Sequence, residues 1–395
     1  MKKNKIFTLL DVSIIVIVTS CVMCFLGGIL IYRSLGGINY ALLGGDSDLQ
    51  EFISAYNDLT EKYYSDLDKS ELIDGAINGM YSKVNDPYTN YLDGANTTSL
   101  NDSLNGTYQG IGIRIEETES GIRINEVFDD SPAMEAGMLA GDIITHINGE
   151  DVSNLDATSV VGLIKKGNNL VSITIKRNNE SITFKVSTKT LFTPAVNAKI
   201  LEKDEHKVGY ISLSVFNDTA DIQFEKAISI LENSSIEYLI IDLRGNSGGY
   251  LEVAKNIAEM FIEKDRIIYS LENKKSKTDY KDKTNEKRNY KIAVIINRNS
   301  ASASEILAAA LKYSYGAVLV GETSYGKGKV QERASLSNGN TVKYTSALWL
   351  TPKGDCIDGI GLIPDYPVAF DVSKYDSKDI YTDSQILYAL NNLAK

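Results

Sequence analysis

Between Val208 and Val320 short apolar runs alternate with helix-patterned segments, and this alternation restricts the fold more than any other feature of the sequence. Val208–Val215, Glu237–Leu243, Ile267–Ser270, Ile292–Ile296 and Ala317–Val320 read as strands, with helices Thr219–Leu231, Leu251–Ile262 and Ser304–Tyr313 among them. The order predicts an α/β fold, a sheet joined by crossover helices, whose reactive loops gather at the C-terminal ends of the strands. Two stretches occupy such ends: Asp242-Leu-Arg-Gly-Asn-Ser-Gly-Gly249 and Asn297-Arg-Asn-Ser-Ala-Ser-Ala-Ser-Glu305.

The second stretch is a small-residue turn between a strand and a helix. A hydroxyl placed there stands at a helix N-terminus, where free backbone N–H groups stabilise an anion formed beside it. Ser300, Ser302 and Ser304 all qualify as nucleophiles, and all three also suit a plain capping role with Glu305 as first-turn partner. A nucleophilic serine needs a base, and the chain has only two histidines. His146 ends a strand ahead of the Asn148-Gly149 turn, and His206 lies in the charged stretch Glu202–Lys207, read as a solvated loop. Neither has the setting of a triad member. A lysine deprived of its proton by burial is the alternative base. Gly321-Glu-Thr-Ser-Tyr-Gly-Lys-Gly-Lys-Val-Gln331 offers Lys327 between Gly326 and Gly328, glycines that let the backbone approach another group closely.

The motifs Ser-Ala-Ser-Ala-Ser-Glu (300–305), Tyr-Gly-Lys-Gly-Lys-Val-Gln (325–331) and Asp242–Gly249 together resemble the C-terminal processing peptidases, or tail-specific proteases, which are Ser-Lys serine peptidases carrying a PDZ domain. The resemblance runs from about Leu49 to Pro367. It implies Ser302 as nucleophile, Lys327 as general base, Gln331 as the residue that orients the lysine, and a crotonase/ClpP-like core. It further implies peptide or protein substrates with exposed C-termini, and a homo-oligomer formed through the helical arm. The backbone N–H groups of Gly248 and Ala303, at neighbouring strand ends, are the oxyanion-hole expectation, with Gly249 a near rival.

Five segments are expected: 1–35, N-terminus and membrane anchor; 36–105, linker and helical arm; 106–190, PDZ domain; 191–370, Ser-Lys peptidase domain; 371–395, a tail with a short helix over Asp383–Leu393. Lys2, Lys3 and Lys5 precede Val12–Tyr32, an apolar run of about 20 residues, long enough to cross a bilayer core. The positive end stays in the cytoplasm, which predicts a single-pass cell-membrane protein with its PDZ and peptidase domains extracytoplasmic. A cleaved signal peptide has a shorter apolar region and a small-x-small site. Val18-Thr-Ser-Cys21 loosely resembles a lipoprotein cleavage site, but the apolar run continues past it. Gly36–Ser47 reads as a linker. Asp48–Tyr64 and Ser70–Val84 read as two core helices, Ser70 capping the second, and Asp86-Pro-Tyr-Thr-Asn-Tyr-Leu92 as a turn without chemistry.

Gly106–Glu116 reads as one strand with Ile111, Ile113 and Ile115 on a shared face. Ser131-Pro132 opens a short helix that Gly137 closes, Asn148-Gly149 makes a hairpin, Asp156–Lys165 is an amphipathic helix, and Val171–Arg177 with Ser181–Val186 form a last strand pair. The order, with Ser131-Pro-Ala-Met-Glu-Ala-Gly-Met-Leu-Ala-Gly-Asp142, resembles a bacterial PDZ domain. Successive N–H groups over Gln109, Gly110, Ile111 and Gly112 make a nest for a carboxylate, and the strand continuing through Ile113 can pair with an incoming peptide.

Lys and Arg number 41 against 52 Asp and Glu, so the chain lacks the basic surface that nucleic acid requires. Cys21, Cys24 and Cys356 offer neither a disulfide framework nor metal-ligand spacing, and no metal or cofactor is expected. Glu272–Tyr290 reads as a solvated hairpin or loop with no role, and Asn338-Gly339 as a hairpin turn. The rival function is a non-catalytic, membrane-anchored PDZ scaffold, for which Ser302 and Lys327 would be superfluous.

Overall fold

The computed structural model describes residues 47–393 apart from 119, 120, 129, 168 and 193. The expected anchor Val12–Tyr32, its flanking lysines and all but the last residue of the Gly36–Ser47 linker lie outside the described residues. Among the described residues no helix is long and apolar enough to cross a membrane. The chain separates into two units, Met1–Met80 and Tyr81–Lys395. Helix α1 (Ser47–Lys62) belongs to the first, and α2 (Lys69–Ser82) begins in it. Neither helix contains a buried residue, which corrects the reading of both as core helices. Asp68 Oδ1, not Ser70, caps α2, accepting the N–H groups of Ser70 (2.8 Å) and Glu71 (3.3 Å).

The second unit continues through β1 (Asn90–Leu92), α3 (Gly94–Asn105), β2 (Thr107–Gly110), β3 (Ile113–Thr118), β4 (Gly121–Val127), α4 (Pro132–Ala136), β5 (Ile143–Ile147), β6 (Glu150–Asp151), α5 (Ala157–Lys166), β7 (Leu170–Arg177), β8 (Glu180–Ser187) and β9 (Lys189–Phe192). Strands β3-β4-β5-β7-β8 form an antiparallel sheet, with β6 added to β5, around Ile122, Ile124, Ile144, Ile173 and Ile175. Val160 and Ile164 of α5 bury into that core, and Asp156 caps the helix by accepting Ser159 N–H at 2.7 Å. Ser131 caps α4 with Pro132 in its first turn, and Gly137 closes it at φ 86°. The single strand expected over Gly106–Glu116 is two strands. It breaks at Ile111-Gly112, because Gly112 turns to φ 86° and brings its Cα so close to Ser131 that no side chain fits.

Beyond this domain come β10 (Val196–Lys203), β11 (His206–Leu213), α6 (Ala220–Asn233), β12 (Tyr238–Asp242), α7 (Leu251–Glu259), β13 (Ile267–Glu272), β14 (Lys277–Lys281), β15 (Lys291–Ile296), α8 (Ala303–Ala310), a π-helical turn over Leu311–Tyr315, β16 (Val318–Gly321), β17 (Lys329–Ser335), β18 (Thr341–Leu350), β19 (Tyr366–Pro367) and α9 (Ser384–Leu393). The main sheet runs β10-β11-β12-β15-β16-β19, parallel except for β10. Strand alternation decides its two faces. Leu239 and Ile241 of β12, with Ile292, Val294 and Ile296 of β15, meet Phe224 of α6, Ile257 of α7 and Ile306 of α8. Ile240, Ala293 and Ile295 meet Ile386, Ala389 and Leu390 of α9 on the other side. A second sheet, β1-β18-β13-β14 with β17 on β18, places Trp349 and Tyr269 in the first of these cores.

One expectation is corrected here. His206 does not lie in a loop but opens β11, paired to Glu237 at 2.8 Å. Strand β9 pairs with β2 from Thr107↔Phe192 to Gly110↔Lys189, so the chain enters and leaves the smaller domain as a two-stranded ribbon. Glu272–Tyr290 opens as the hairpin that the sequence suggests, β13 turning into the largely exposed β14, with Tyr280 half-buried and stacked on Tyr269 at 4.6 Å.

Candidate active site

The turn after β15 separates its three serines by what their hydroxyls do. Ser300 Oγ donates to Leu243 O and Ser304 Oγ to Asn246 O, both at 2.8 Å, and both residues are fully buried. They lace the turn to the loop after β12, where Ala301 N–H adds a bond to Asn246 O at 3.0 Å. Ser302 alone of the three is half-buried and lines an open cavity of about 610 Å³. Its backbone lies at φ 56°, ψ −116°, a conformation that costs a non-glycine residue about 1–3 kcal/mol and that the surrounding bonds must hold.

Glu305 supplies much of that hold. Its carboxylate is fully buried and accepts four hydrogen bonds: Ser302 N–H (2.8 Å) and Lys327 N–H (2.9 Å) at Oε2, Gly326 N–H (2.7 Å) and the Ser324 hydroxyl (2.5 Å) at Oε1. One side chain thus fastens the serine turn to the lysine loop. Burial raises its pKa, and these bonds only partly oppose the rise. Sequence reasoning saw Glu305 as a capping partner only. The signal available was an acid in the first turn of α8, a helix whose eight residues are all buried.

Lys327 enters the same cavity. Trp349 Nε1 donates to its carbonyl at 2.7 Å, Gly328 N–H donates to Asp358 Oδ1 at 3.0 Å, and Gly326 packs against Gly359–Gly361 too tightly for any side chain. The ammonium lies 4.7 Å from the centroid of the Tyr88 ring. Burial lowers its pKa, Lys343 lowers it further, and Glu305 and Asp86 pull the other way without prevailing. Among the described residues no hydrogen bond joins Lys327 Nζ to Ser302 Oγ; the two share the cavity, with the lysine drawn to the ring.

The Asp86–Leu92 turn, read from sequence as free of chemistry, touches two lysines of that cavity, Tyr88 lying beneath both Lys327 and Lys329. Asp86 Oδ2 accepts the hydroxyls of Thr89 (2.8 Å) and Thr345 (2.5 Å), and Oδ1 accepts Lys329 Nζ at 3.2 Å. Burial works to raise its pKa, but the bonds from Thr345, Thr89 and Lys329 outweigh it and hold the carboxyl at about 2. Gln331 lines the cavity, but its amide donates to Thr345 Oγ1 at 3.4 Å, joining the Asp86 cluster rather than Lys327.

The expected oxyanion donors part company. Gly248 N–H is already bonded to Asn246 Oδ1 at 2.9 Å, while the buried Asn246 amide is fixed by donating to Leu213 O at 2.8 Å. Gly248 packs so close to Ser302 that an added Cβ would stand 2.9 Å from the serine Cβ. Among the described residues Ala303 N–H, at the start of α8, and Gly249 N–H have no protein acceptor. Neither histidine lines the cavity. Among the described residues no group of three or more His, Cys, Asp or Glu could hold a metal ion.

In the smaller domain Gln109, Gly110, Ile111, Gly112 and Ile113 line a narrow groove with Val161 and Ile164 of α5. Gln109 and Gly110 are in the ladder with β9, and the Gln109 side chain is bonded to Thr188 and Thr190. Ile111 and Gly112 stand outside both strands, so the nest narrows to them. Among the described residues the outer edge of β3 has no partner strand, the geometry that accepts an added peptide strand.

Comparison with known proteins bears on both regions. The model for peptidase family S41 matches residues 207–368, that for the PDZ domain residues 109–188, and that for the activating protease CtpB N-terminal domain residues 39–97. Fold and matches define a serine-type peptidase joined to a PDZ domain. The carboxy-terminal processing protease CtpB of Bacillus subtilis (strain 168) is 37% identical over 324 residues, covering 81% of this chain and 67% of the relative. The carboxy-terminal processing protease CtpA of the same strain is 34% identical over 323 residues, covering 81% and 69%. The solved photosystem II D1 C-terminal processing protease shares the fold, with a TM-score of 0.53 at 23% identity over 89% of this chain and 92% of that one. The chain belongs to the carboxy-terminal processing proteases of family S41.

Proposed function

We propose that this chain cleaves proteins near exposed C-termini by Ser-Lys catalysis, with Ser302 as nucleophile and Lys327 as general base. The observation that carries the reading is the sharing of one cavity by the half-buried serine of the turn and a lysine of lowered pKa, both fastened to Glu305. In the reaction the neutral Lys327 amine leaves the Tyr88 ring and takes the Ser302 proton as Oγ attacks the scissile carbonyl. Ala303 N–H, with Gly249 N–H opposite, receives the oxyanion. Protonated Lys327 then gives its proton to the leaving amine, and the freed base activates the water that hydrolyses the acyl-enzyme. Leu100, Leu104, Val215 and Leu271 make an apolar wall suited to the side chain beside the bond.

The PDZ groove would hold the substrate's terminal carboxylate at Ile111–Gly112 while its backbone pairs with β3. Comparing protein C-termini by mass spectrometry in cells carrying the native chain or Ser302→Ala tests the reading. Shortened termini should disappear with the variant. Identical termini in the two strains would leave the PDZ scaffold as the function.

The apolar run Val12–Tyr32 supports a single-pass anchor with the peptidase outside the cytoplasm. Protease added to intact cells should then remove the peptidase domain while a cytoplasmic control survives. A protected domain would reverse this topology.

A further inference from the structure

The cavity around Ser302 carries more positive charge than peptide hydrolysis uses. Lys327, Lys329, Lys343 and Arg333 all line it, in a chain whose formal net charge is −11. Lys329 is balanced by Asp86 at 3.2 Å, and Glu252, the acidic residue of the wall, is held by Lys255 at 2.6 Å. Among the described residues no carboxylate lies within ion-pair distance of Lys343 or Arg333; the contacts of Arg333 are with neutral groups and an aromatic ring.

These two cations are direct partners across the antiparallel β17–β18 ladder, Arg333↔Lys343. Like charges directly opposite on one face of a sheet repel, so the pair weakens the sheet it stands on. Arg333 is nonetheless held in place. Nη1 donates to Asn101 Oδ1 at 3.1 Å, Nη2 donates to Tyr250 Oη at 3.4 Å, and the guanidinium lies 5.9 Å from the Tyr250 ring centroid. These partners orient the charge without neutralising it. Lys343 is half-buried, and burial with Arg333 lowers its pKa, as befits an ammonium short of an anion.

We propose that Arg333 and Lys343 form a carboxylate subsite, so that the peptidase prefers peptides with an acidic group a few residues from the scissile bond. Arg333 stands two residues beyond Gln331 on β17, about 7 Å at the usual strand rise. An extended substrate has the same rise, and because both cations line the cavity that holds Ser302, the acid is sought within four residues of the bond. The inference rests on Ser302 being the nucleophile.

The test uses the full chain and quenched fluorescent peptides built on a cleavage site mapped in an unfolded protein. Each position within four residues of the bond carries Glu or Gln, and each peptide ends in a free acid or an amide. At one position Glu should be favoured over Gln by about tenfold in kcat/KM, chiefly through KM, with the preference shrinking as salt rises. Arg333→Gln should bring the ratio close to one, and Arg333→Lys should keep most of it. A preference for the free acid over the amide, lost in Arg333→Gln, would support the subsite with the terminal carboxylate as its ligand. Ratios near one in the native chain, or a preference that survives Arg333→Gln or ignores salt, would overturn it. Ser302→Ala separates the two claims: cleavage that persists in that variant removes the nucleophile assignment, whereas its loss alongside flat ratios removes the subsite alone.

Discussion

Lys327→Arg is expected to cut peptide hydrolysis by roughly 100- to 10,000-fold while leaving the thermal unfolding transition in place. Arginine keeps the positive charge and the contact with the Tyr88 ring, but its guanidinium never sheds a proton at working pH and cannot serve as base. The sign of the pH dependence follows from the same group. The active form is the neutral amine, so native kcat/KM should rise with pH as Lys327 deprotonates and then level off. Burial, helped by Lys343, sets that midpoint below the ordinary lysine range. A pH profile of kcat/KM on a small peptide reads the midpoint directly. Substantial activity in the arginine variant would take Lys327 out of the mechanism, and a midpoint at the ordinary lysine value would refute the role given to burial.

Glu305→Gln should damage both stability and rate, because one carboxylate holds two loops. The amide keeps the shape but presents one oxygen in place of two, and its NH2 group must face groups that also donate. With the NH2 at one position both Ser302 and Lys327 N–H lose their acceptor; at the other Gly326 N–H does, while the Ser324 hydroxyl can turn to accept. Stranding at least one buried donor costs about 1–3 kcal/mol, readable as a lower denaturant midpoint. The rate should fall by about 100-fold, since a small misplacement of nucleophile and base is enough for that. Because burial raises the Glu305 pKa, its charged form is less favourable in the folded chain than in water. By linkage that term favours folding most below the unfolded pKa and is lost as pH rises through the folded one, so at neutral pH the charge is a burden offset by what it fastens. Unchanged stability and kcat in the variant would show that Glu305 is incidental.

Local signals in the sequence were dependable where structure is decided locally. Ser131-Pro132 and Gly137 frame α4, Asp156 caps α5, Asn338-Gly339 sits in the turn between β17 and β18, and the apolar runs found the parallel strands β11, β12, β15 and β16, though not the two-residue β19. Strand β10 escaped because it is an edge: of its eight residues only Leu201 is buried, and charged side chains break the pattern. The choice among three serines depends on which hydroxyls find carbonyls of a distant loop, and adjacent Gly248 and Gly249 differ by where Asn246 points. Neither fact is written in spacing. Asp86 and Tyr88 were passed over for the same reason, since their neighbours Thr345 and Lys327 lie far along the chain.

That distance has a kinetic meaning. Asp86 and Thr345 are 259 residues apart, and β1 closes onto β18 beside them. A contact spanning so much chain forms late, after the locally paired domains, because a long loop must be closed before it yields any stabilisation. A nascent chain that has folded its PDZ domain and the start of the main sheet still lacks the lysine loop and the strand that bears Thr345. Tyr88 then has no ammonium to hold and Glu305 no second loop to fasten. On the proposed mechanism, a chain truncated before residue 327 would hold the serine of the turn without the lysine that serves it.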